Sequence, residues 1–368
     1  MSLSIGIAGA GSIAFGTAAV LESRGHKTAL WSPSGRGTDG LRQGLTASGA
    51  LSGVFQPEVA DSAEVLVAGR DVVLIAVPGY GHKAVMDAIA PHLSEGQQVI
   101  VSSHASFGAV YLSELLAARG LTLPITAWGT TALTGRRTGV AECNVNTIRA
   151  KIDMCTVPAD AQTQALRTCQ ALFGDVFVPR DGLLAIALSN LNPQNHMGIA
   201  LGNMTRMEHG EVWSQAGNVT RNVGRLMEAL DAERLAIAEA LGLSVKTIFE
   251  HYHQSYHVPV ASIHEMNAAL VAAGTGGQGP ATADSRYITE DVPYGLVPTV
   301  VLGDLIGVPA ELHRSGVKLF SAMYGRNFEQ ENELLSALSL GDLSLDEMRE
   351  LALSGRRPGP EQHRASAG

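Results

Sequence analysis

The chain leaves its first apolar run, Ser4-Ile5-Gly6-Ile7-Ala8, through Gly9-Ala10-Gly11-Ser12-Ile13-Ala14 and enters a helical stretch carrying Ala18, Ala19, Val20 and Leu21. A buried strand, a glycine turn and a helix in that order open a βαβ unit, and G-x-G-x-x-A is the spacing at which such a turn receives a dinucleotide. Gly9 permits the tight turn, Gly11 lets the backbone approach a pyrophosphate, and Ala14 lets helix and strand pack closely. Ser12, Ile13 and Ala14 form the first helical turn, whose free N–H groups and dipole favour phosphate. Dinucleotide binding is therefore preferred to a bare glycine-rich turn.

The strand–helix alternation continues. Lys27–Trp31 reads as the second strand, and Asp71–Pro78 is a near-continuous apolar run of the kind found in a parallel strand covered on both faces. Helical stretches at 84–93 and 110–118, and strands at 98–102, 123–128 and 150–157, complete a doubly wound parallel sheet. The second strand ends at Ser32, where an NAD-preferring site usually carries an acid for the ribose 2′-hydroxyl. Here the loop is Ser32-Pro33-Ser34-Gly35-Arg36, small polar groups and one guanidinium that suit a 2′-phosphate. NADP(H) is expected over NAD(H), with a merely solvated Arg36 as the alternative. His104 follows a strand's carboxyl end and is flagged, although a lone loop histidine is more often structural. Arg136 and Arg137 would suit a substrate carboxylate or, equally, an exposed turn.

After Val176–Arg180 the texture changes to long helical periodicity, which places a domain boundary near residue 180. Val219, Val223, Leu226 and Leu230 recur at helical spacing, Leu235, Ala238 and Leu241 continue the stripe, and Glu228, Glu233, Arg234 and Glu239 read as its solvated face. Helices are also expected at 260–273, 297–305 and 310–324. The layout is thus an α/β chain: residues 1–180 as a dinucleotide domain, 181–350 as an all-α domain, and 351–368 as a flexible tail. A length of 368 residues is enough for two cores. The net charge of −9 and the lack of clustered Lys and Arg argue against nucleic acid, so small molecules are the expected partners. No apolar run approaches the roughly 20 residues of a membrane span. Cys143, Cys155 and Cys169 have neither disulfide nor zinc spacing, and the N-terminus lacks a basic leader, so no metal and a cytoplasmic location are expected.

Inside the helical half, Leu188-Ser189-Asn190-Leu191-Asn192-Pro193-Gln194-Asn195-His196-Met197 sets a histidine and three asparagines between apolar runs. Such groups are costly to bury unless they hydrogen-bond or do chemistry. His196 is accordingly a candidate active-site residue, the competing reading being a helix-capping loop with a satisfied histidine. A second polar segment, Asp284 to Gly295, brings Arg286, Glu290 and Asp291 together, and by itself reads as readily as a charged surface loop. His251, Tyr252, His253, Tyr256 and His257 could line an amine pocket, but two sides of one helix is the preferred account.

With the glycine turn, the Asn192-Pro193-Gln194-Asn195-His196 element and Arg286-Tyr287-Ile288-Thr289-Glu290-Asp291-Val292-Pro293-Tyr294-Gly295-Leu296 in hand, the chain resembles the octopine/nopaline (opine) dehydrogenase family over roughly residues 1–340. The resemblance implies a Rossmann-type first domain and reduction of the imine formed between an α-keto acid and the amino group of an amino acid. It also implies His196 as the catalytic histidine, Asp291 as its paired carboxylate and Arg286 as the keto-acid carboxylate ligand, with catalysis where the two domains meet. The chemistry agrees: a histidine can supply or remove the nitrogen's proton, and a carboxylate on one ring nitrogen fixes the tautomer and favours the imidazolium. A ketopantoate or 2-hydroxyacid reductase is the alternative enzyme, although Lys246 and Lys318 are the only lysines of the second domain. A non-catalytic NADP(H) sensor is the alternative of another class. The amino-acid subsite matches no residue, and homodimerisation through the helices is open but not required. The whole reading needs two segments 95 positions apart (291 − 196) to fold into contact.

Overall fold

A computed structural model describes residues 2–357, which divide into two compact units: residues 2–187 with 346–357, and residues 188–345. The division therefore falls a few residues after the expected boundary at 180. The terminal segment also departs from expectation. Leu345–Ser354 forms a helix whose Leu351 and Ala352 are buried, because its apolar residues repeat at helical spacing and pack in the first unit. The expected tail thus overlaps a folded element over its first residues, and positions 358–368 lie outside the described residues.

In chain order the strands of the first unit are β1 (Ser4–Ala8), β2 (Lys27–Trp31), β3 (Leu45–Gly49), β4 (Gly53–Phe55), β5 (Glu58–Val59), β6 (Val72–Ile75), β7 (Gln98–Val101), β8 (Ile125–Trp128), β9 (Leu133–Gly139), β10 (Glu142–Ile148), β11 (Ile152–Val157) and β12 (Phe177–Pro179). Eight form one sheet in the order β12-β11-β8-β7-β6-β1-β2-β5. β1 lies between β2 and β6, parallel to both, with Ile5, Ile7 and Ala8 fully buried. The sheet is parallel except at one joint, where β11 runs antiparallel to β8. A parallel pair needs a long crossover, usually a helix. Between β8 and β11 the chain makes only the β9–β10 hairpin, so it returns in the opposite direction.

That hairpin belongs to a second sheet, β4-β3-β10-β9, which the sequence did not announce. Thr134-Gly135-Arg136-Arg137-Thr138 lies within β9 and not in an exposed turn. This sheet covers the first helix, α1 (Ser12–Ser23), where a side chain at Gly16 would collide with Leu133 at 2.7 Å. Every residue from Ala14 to Leu21 is consequently buried, which explains why α1 is apolar all round and not amphipathic. The remaining helices of the unit are α2 (Ala63–Val67), α3 (Gly79–Ile89), α4 (Gly108–Ala117) and α5 (Gln162–Phe173), and α6 (Gly182–Ser189) leads out of it.

The second unit is helical: α7 (Asn192–Glu208), α8 (Arg221–Ala240), α9 (Ile248–Tyr256), α10 (Ile263–Ala272), α11 (Arg286–Thr289), a π-helical turn over Val292–Leu296, α12 (Val297–Leu305), α13 (Glu311–Tyr324) and α14 (Glu333–Leu338). The terminal helix Leu345–Ser354 is α15. α7 and α8 approach closely because Gly198 and Gly202 present no side chain toward Met227 and Val223, either of which a Cβ would meet at 2.6 Å. The expected solvated face of α8 is only partly so. Arg234 is fully buried, bonded to Asp231 and to the carbonyls of Leu188 and Lys246, while Asp231 also accepts the Ile248 N–H. A buried guanidinium is tolerated only when its donors are satisfied in this way. Among the described residues no helix is long and apolar enough to cross a membrane.

Candidate active site

The glycine turn closes β1 onto α1. Gly9 sits at φ 147°, and a side chain there would lie 2.4 Å from the Ala76 carbonyl oxygen, so only glycine fits. Its N–H donates to the Trp31 carbonyl at 2.8 Å, which ties the turn to the end of β2. Gly11 caps α1 without a side-chain acceptor for the first-turn N–H groups, and a Cβ built on it would meet nothing within 4 Å. Open space in front of an uncapped helix N-terminus is what a pyrophosphate requires, so the turn fits a dinucleotide.

Ser12 has a further partner that the sequence did not suggest. Its Oγ accepts the Arg137 N–H at 2.9 Å, and the Arg137 guanidinium donates to the Ala10 carbonyl at 3.2 Å while lying over the Phe15 ring. Strand β9 thus braces the turn, and Arg137 is committed to it.

At the adenosine end, Ser32 is buried and its hydroxyl pairs with Ser34 at 3.1 Å. Arg36 is exposed and makes no hydrogen bond or ion pair to any described residue. His104 is buried. Its Nε2 accepts the Ala109 N–H at 3.2 Å, and burial, with His82 nearby, lowers its pKa to about 3. Burial thus favours its neutral form at physiological pH.

In the second unit, residues 192–197 of the polar stretch form the first turns of α7, with Pro193 in the first turn where its missing N–H costs nothing. His196 Nδ1 lies 2.6 Å from Asp291 Oδ2, across 95 residues. A carboxylate only accepts, so Nδ1 carries the hydrogen and Nε2 is the nitrogen left for chemistry. The two side chains are 19% and 18% exposed, dry enough to strengthen their attraction and open enough to reach solvent.

Asp291 is aimed by the π turn that follows it. Gly295 packs so closely on Pro193 that a Cβ would fall 2.2 Å from its ring, and the buried Asn332 holds the Pro293 carbonyl at 2.8 Å. Single π turns of this kind recur at functional sites.

The third member of the site is Tyr287, one turn before Asp291. Its ring stacks on His196 with centroids 3.5 Å apart and planes 7° apart, and its hydroxyl donates to Gln215 at 2.6 Å. Burial, and then the Asp291 charge, push the Tyr287 phenol up to about 12. Arg286 takes a different environment: its side chain is 67% exposed and paired to Glu290. His251 and its aromatic neighbours belong to α9, where Tyr252 is buried and Tyr256 exposed, as two sides of one helix require. No three His, Cys, Asp or Glu among the described residues are placed to hold a metal.

Comparison with known proteins follows the same division. Residues 179–324 match the family model "NAD/NADP octopine/nopaline dehydrogenase, alpha-helical domain", and residues 4–105 match "NADP oxidoreductase coenzyme F420-dependent". An opine dehydrogenase of Arthrobacter sp. (strain 1C) is 31% identical over 335 residues, 89% of this chain and 92% of its own. Among solved structures, octopine dehydrogenase with NADH and L-arginine superposes with a TM-score of 0.81 at 17% identity, over 97% of this chain and 99% of the other. NADP+-bound yersinopine dehydrogenase gives 0.67 at 16% identity, over 96% and 98%.

Proposed function

The chain belongs to the opine dehydrogenase family, NAD(P)-dependent oxidoreductases acting on CH–NH donors, and from that premise we propose how its own residues carry out the reductive condensation of an α-keto acid with an amino acid. The observation that carries the assignment is the 2.6 Å contact between His196 Nδ1 and Asp291 Oδ2. It leaves Nε2 able to take one proton and return it.

The backbone of Gly9, Gly11, Ser12, Ile13 and Ala14 holds the pyrophosphate of the dinucleotide. Ser32 and Arg36 receive the 2′-phosphate of NADP(H), which we favour because the loop after β2 offers hydroxyls and a free guanidinium and no acid at its first position. When bound, the reduced nicotinamide supplies the hydride.

An amino acid arrives as its ammonium form and must lose a proton before its nitrogen attacks the keto carbon. His196 Nε2 takes that proton, and Asp291 stabilises the imidazolium that results. Loss of water leaves a C=N bond. As hydride reaches the carbon, His196 returns its proton to the nitrogen, giving a secondary amine and a neutral imidazole, with atoms and charge balanced. Arg286 binds the keto-acid carboxylate in this scheme, exchanging its contact with Glu290 for a bidentate one with substrate. The buried, unpaired Cys143, Cys155 and Cys169 agree with a reducing cytoplasm.

The test is NADPH oxidation with pyruvate across a panel of amino acids, with the product mass read by spectrometry. Consumption is expected only when keto acid and amine are present together, with a product joining the two skeletons. Equal consumption with keto acid alone would instead indicate a 2-hydroxyacid reductase.

A further inference from the structure

The stack of Tyr287 on His196 has a geometry that two neutral rings avoid. Aromatic pairs prefer offset or edge-to-face arrangements with centroids about 4.5–7 Å apart, because face-on quadrupoles repel. Here the centroids are 3.5 Å apart with planes 7° apart, close to full overlap. A cation over an aromatic face is attracted instead. We propose that Tyr287 is a positioning residue for the proton-transfer group: it fixes the plane of His196 and favours the imidazolium, so that the acid form persists until the imine is reduced. This rests on the role given to His196 above.

The surroundings support it. Tyr287 is anchored at its far end by the Gln215 side chain, so the ring cannot swing away when the imidazole changes charge. Asp291 meets the ring edge at Nδ1 while Tyr287 covers a face, so neither of them occupies Nε2. Charged and titratable groups on the packed elements have partners of their own: on α13, whose Gly316 lies against Met197, His313 pairs with Glu233. On the segment of Tyr287 itself, Glu290 pairs with Arg286. On α8, which packs against α7, Asp231 pairs with Arg234 and Glu228 accepts the Ile263 N–H. From α9, Tyr256 bears electrostatically on Tyr287. The phenol of Tyr287 stays protonated through the working range, so it contributes a polarised face and not a second negative charge.

The experiment compares Tyr287→Phe, which keeps the face, with Tyr287→Leu, which removes it. The acid form of His196 is needed for reduction, and its loss sets the alkaline limb of the pH–turnover profile. Removing the stack destabilises the cation, so this limb moves to lower pH. The expected displacement in Tyr287→Leu is about 0.5–1 pH unit, with a fall in kcat of about threefold to tenfold at neutral pH. NADPH affinity stays unchanged, and Tyr287→Phe stays within about half of that displacement. In the cofactor-free protein, the midpoint of the His196 ring titration followed by nitrogen NMR moves down by the same amount.

If Tyr287→Leu does not fold, a series of increasingly fluorinated phenylalanines at 287 replaces it, with the limb stepping down as the ring face loses electron density. A limb and midpoint that stay put in the Leu variant or along the series would overturn the inference. It would fall alone if His196→Asn still abolishes turnover, whereas an active His196→Asn would remove the parent reading as well.

Discussion

The glycine turn of the first unit and the histidine–carboxylate pair of the second are built from different materials. The turn works through backbone: Gly9 at φ 147°, Gly11 facing open space, and uncapped N–H groups at the head of α1, all within six consecutive residues. The pair works through side chains brought together from positions 95 apart, held by the close approach of Gly295 to Pro193 and by Tyr287 on the ring face. A backbone site binds and tolerates most side-chain changes. A side-chain site reacts, and one atom removed can abolish its chemistry. Variants should therefore separate cleanly into binding and turnover defects, and failure of that separation would show that the contrast is wrong.

The largest effect is expected at the pair. His196→Ala should lower kcat by about two to four orders of magnitude, the usual worth of a general acid–base residue, with NADPH affinity unchanged by titration of nucleotide fluorescence. Asp291→Asn preserves shape but offers the ring a different hydrogen-bonding partner, so it should lose about 10²-fold or more in kcat. Turnover preserved in either variant would take the pair out of the mechanism. A large loss of nucleotide affinity in both would mean that the two sites are not separable.

How far each region could be read beforehand follows from the same difference. The turn was legible because its physics is local: strand, glycine spacing and helix are contiguous, and β1, β2 and β6 lie where the apolar runs placed them. The pair became legible only through family resemblance, since nothing in either segment announces its partner. Tyr287 carries no sequence signal beyond its place four residues before Asp291, a spacing that puts two side chains on one face of a helical segment. The second sheet was hidden because Leu133–Gly139 alternates weakly and carries two arginines and two glycines, which read as a turn. Arg234 reads as solvated by its type and its place off the apolar stripe; its burial becomes tolerable through Asp231 one turn away together with the carbonyls of Leu188 and Lys246, distant in sequence. Each miss is a long-range partner that overrides a sound local inference.

An intermediate effect is expected at the turn, where two neighbouring glycines should behave differently. Gly9→Ala forces a left-handed backbone and a contact at 2.4 Å with the Ala76 carbonyl, so it should lower stability by about 1–3 kcal/mol in chemical denaturation. Gly11→Ala meets no protein atom within 4 Å and should leave stability within about 1 kcal/mol. Its added methyl nevertheless enters the space assigned to the pyrophosphate. NADPH affinity should fall about tenfold or more, equivalent to about 1.4 kcal/mol, with kcat at saturating nucleotide little changed. Equal behaviour of the two variants would mean that the space beyond Gly11 holds no ligand.

The smallest effect sharpens the contrast, because Arg36 is a side-chain contribution attached to the backbone site. It is exposed and unpaired to the described residues, while Ser32 and Ser34 already share a hydrogen bond. An exposed charged contact is worth about 1 kcal/mol. Arg36→Ala should therefore weaken NADPH by about fivefold and leave NADH unaffected. Both proteins should converge as salt rises toward about 1 M, where screening reaches about 3 Å. Ser32→Asp should move selectivity the same way and further, since a carboxylate repels a 2′-phosphate but accepts from a ribose 2′-hydroxyl, so that NADPH weakens while NADH tightens. If Arg36→Ala weakens both nucleotides alike, the guanidinium contacts their common part, and the preference for NADP(H) loses its only charged support.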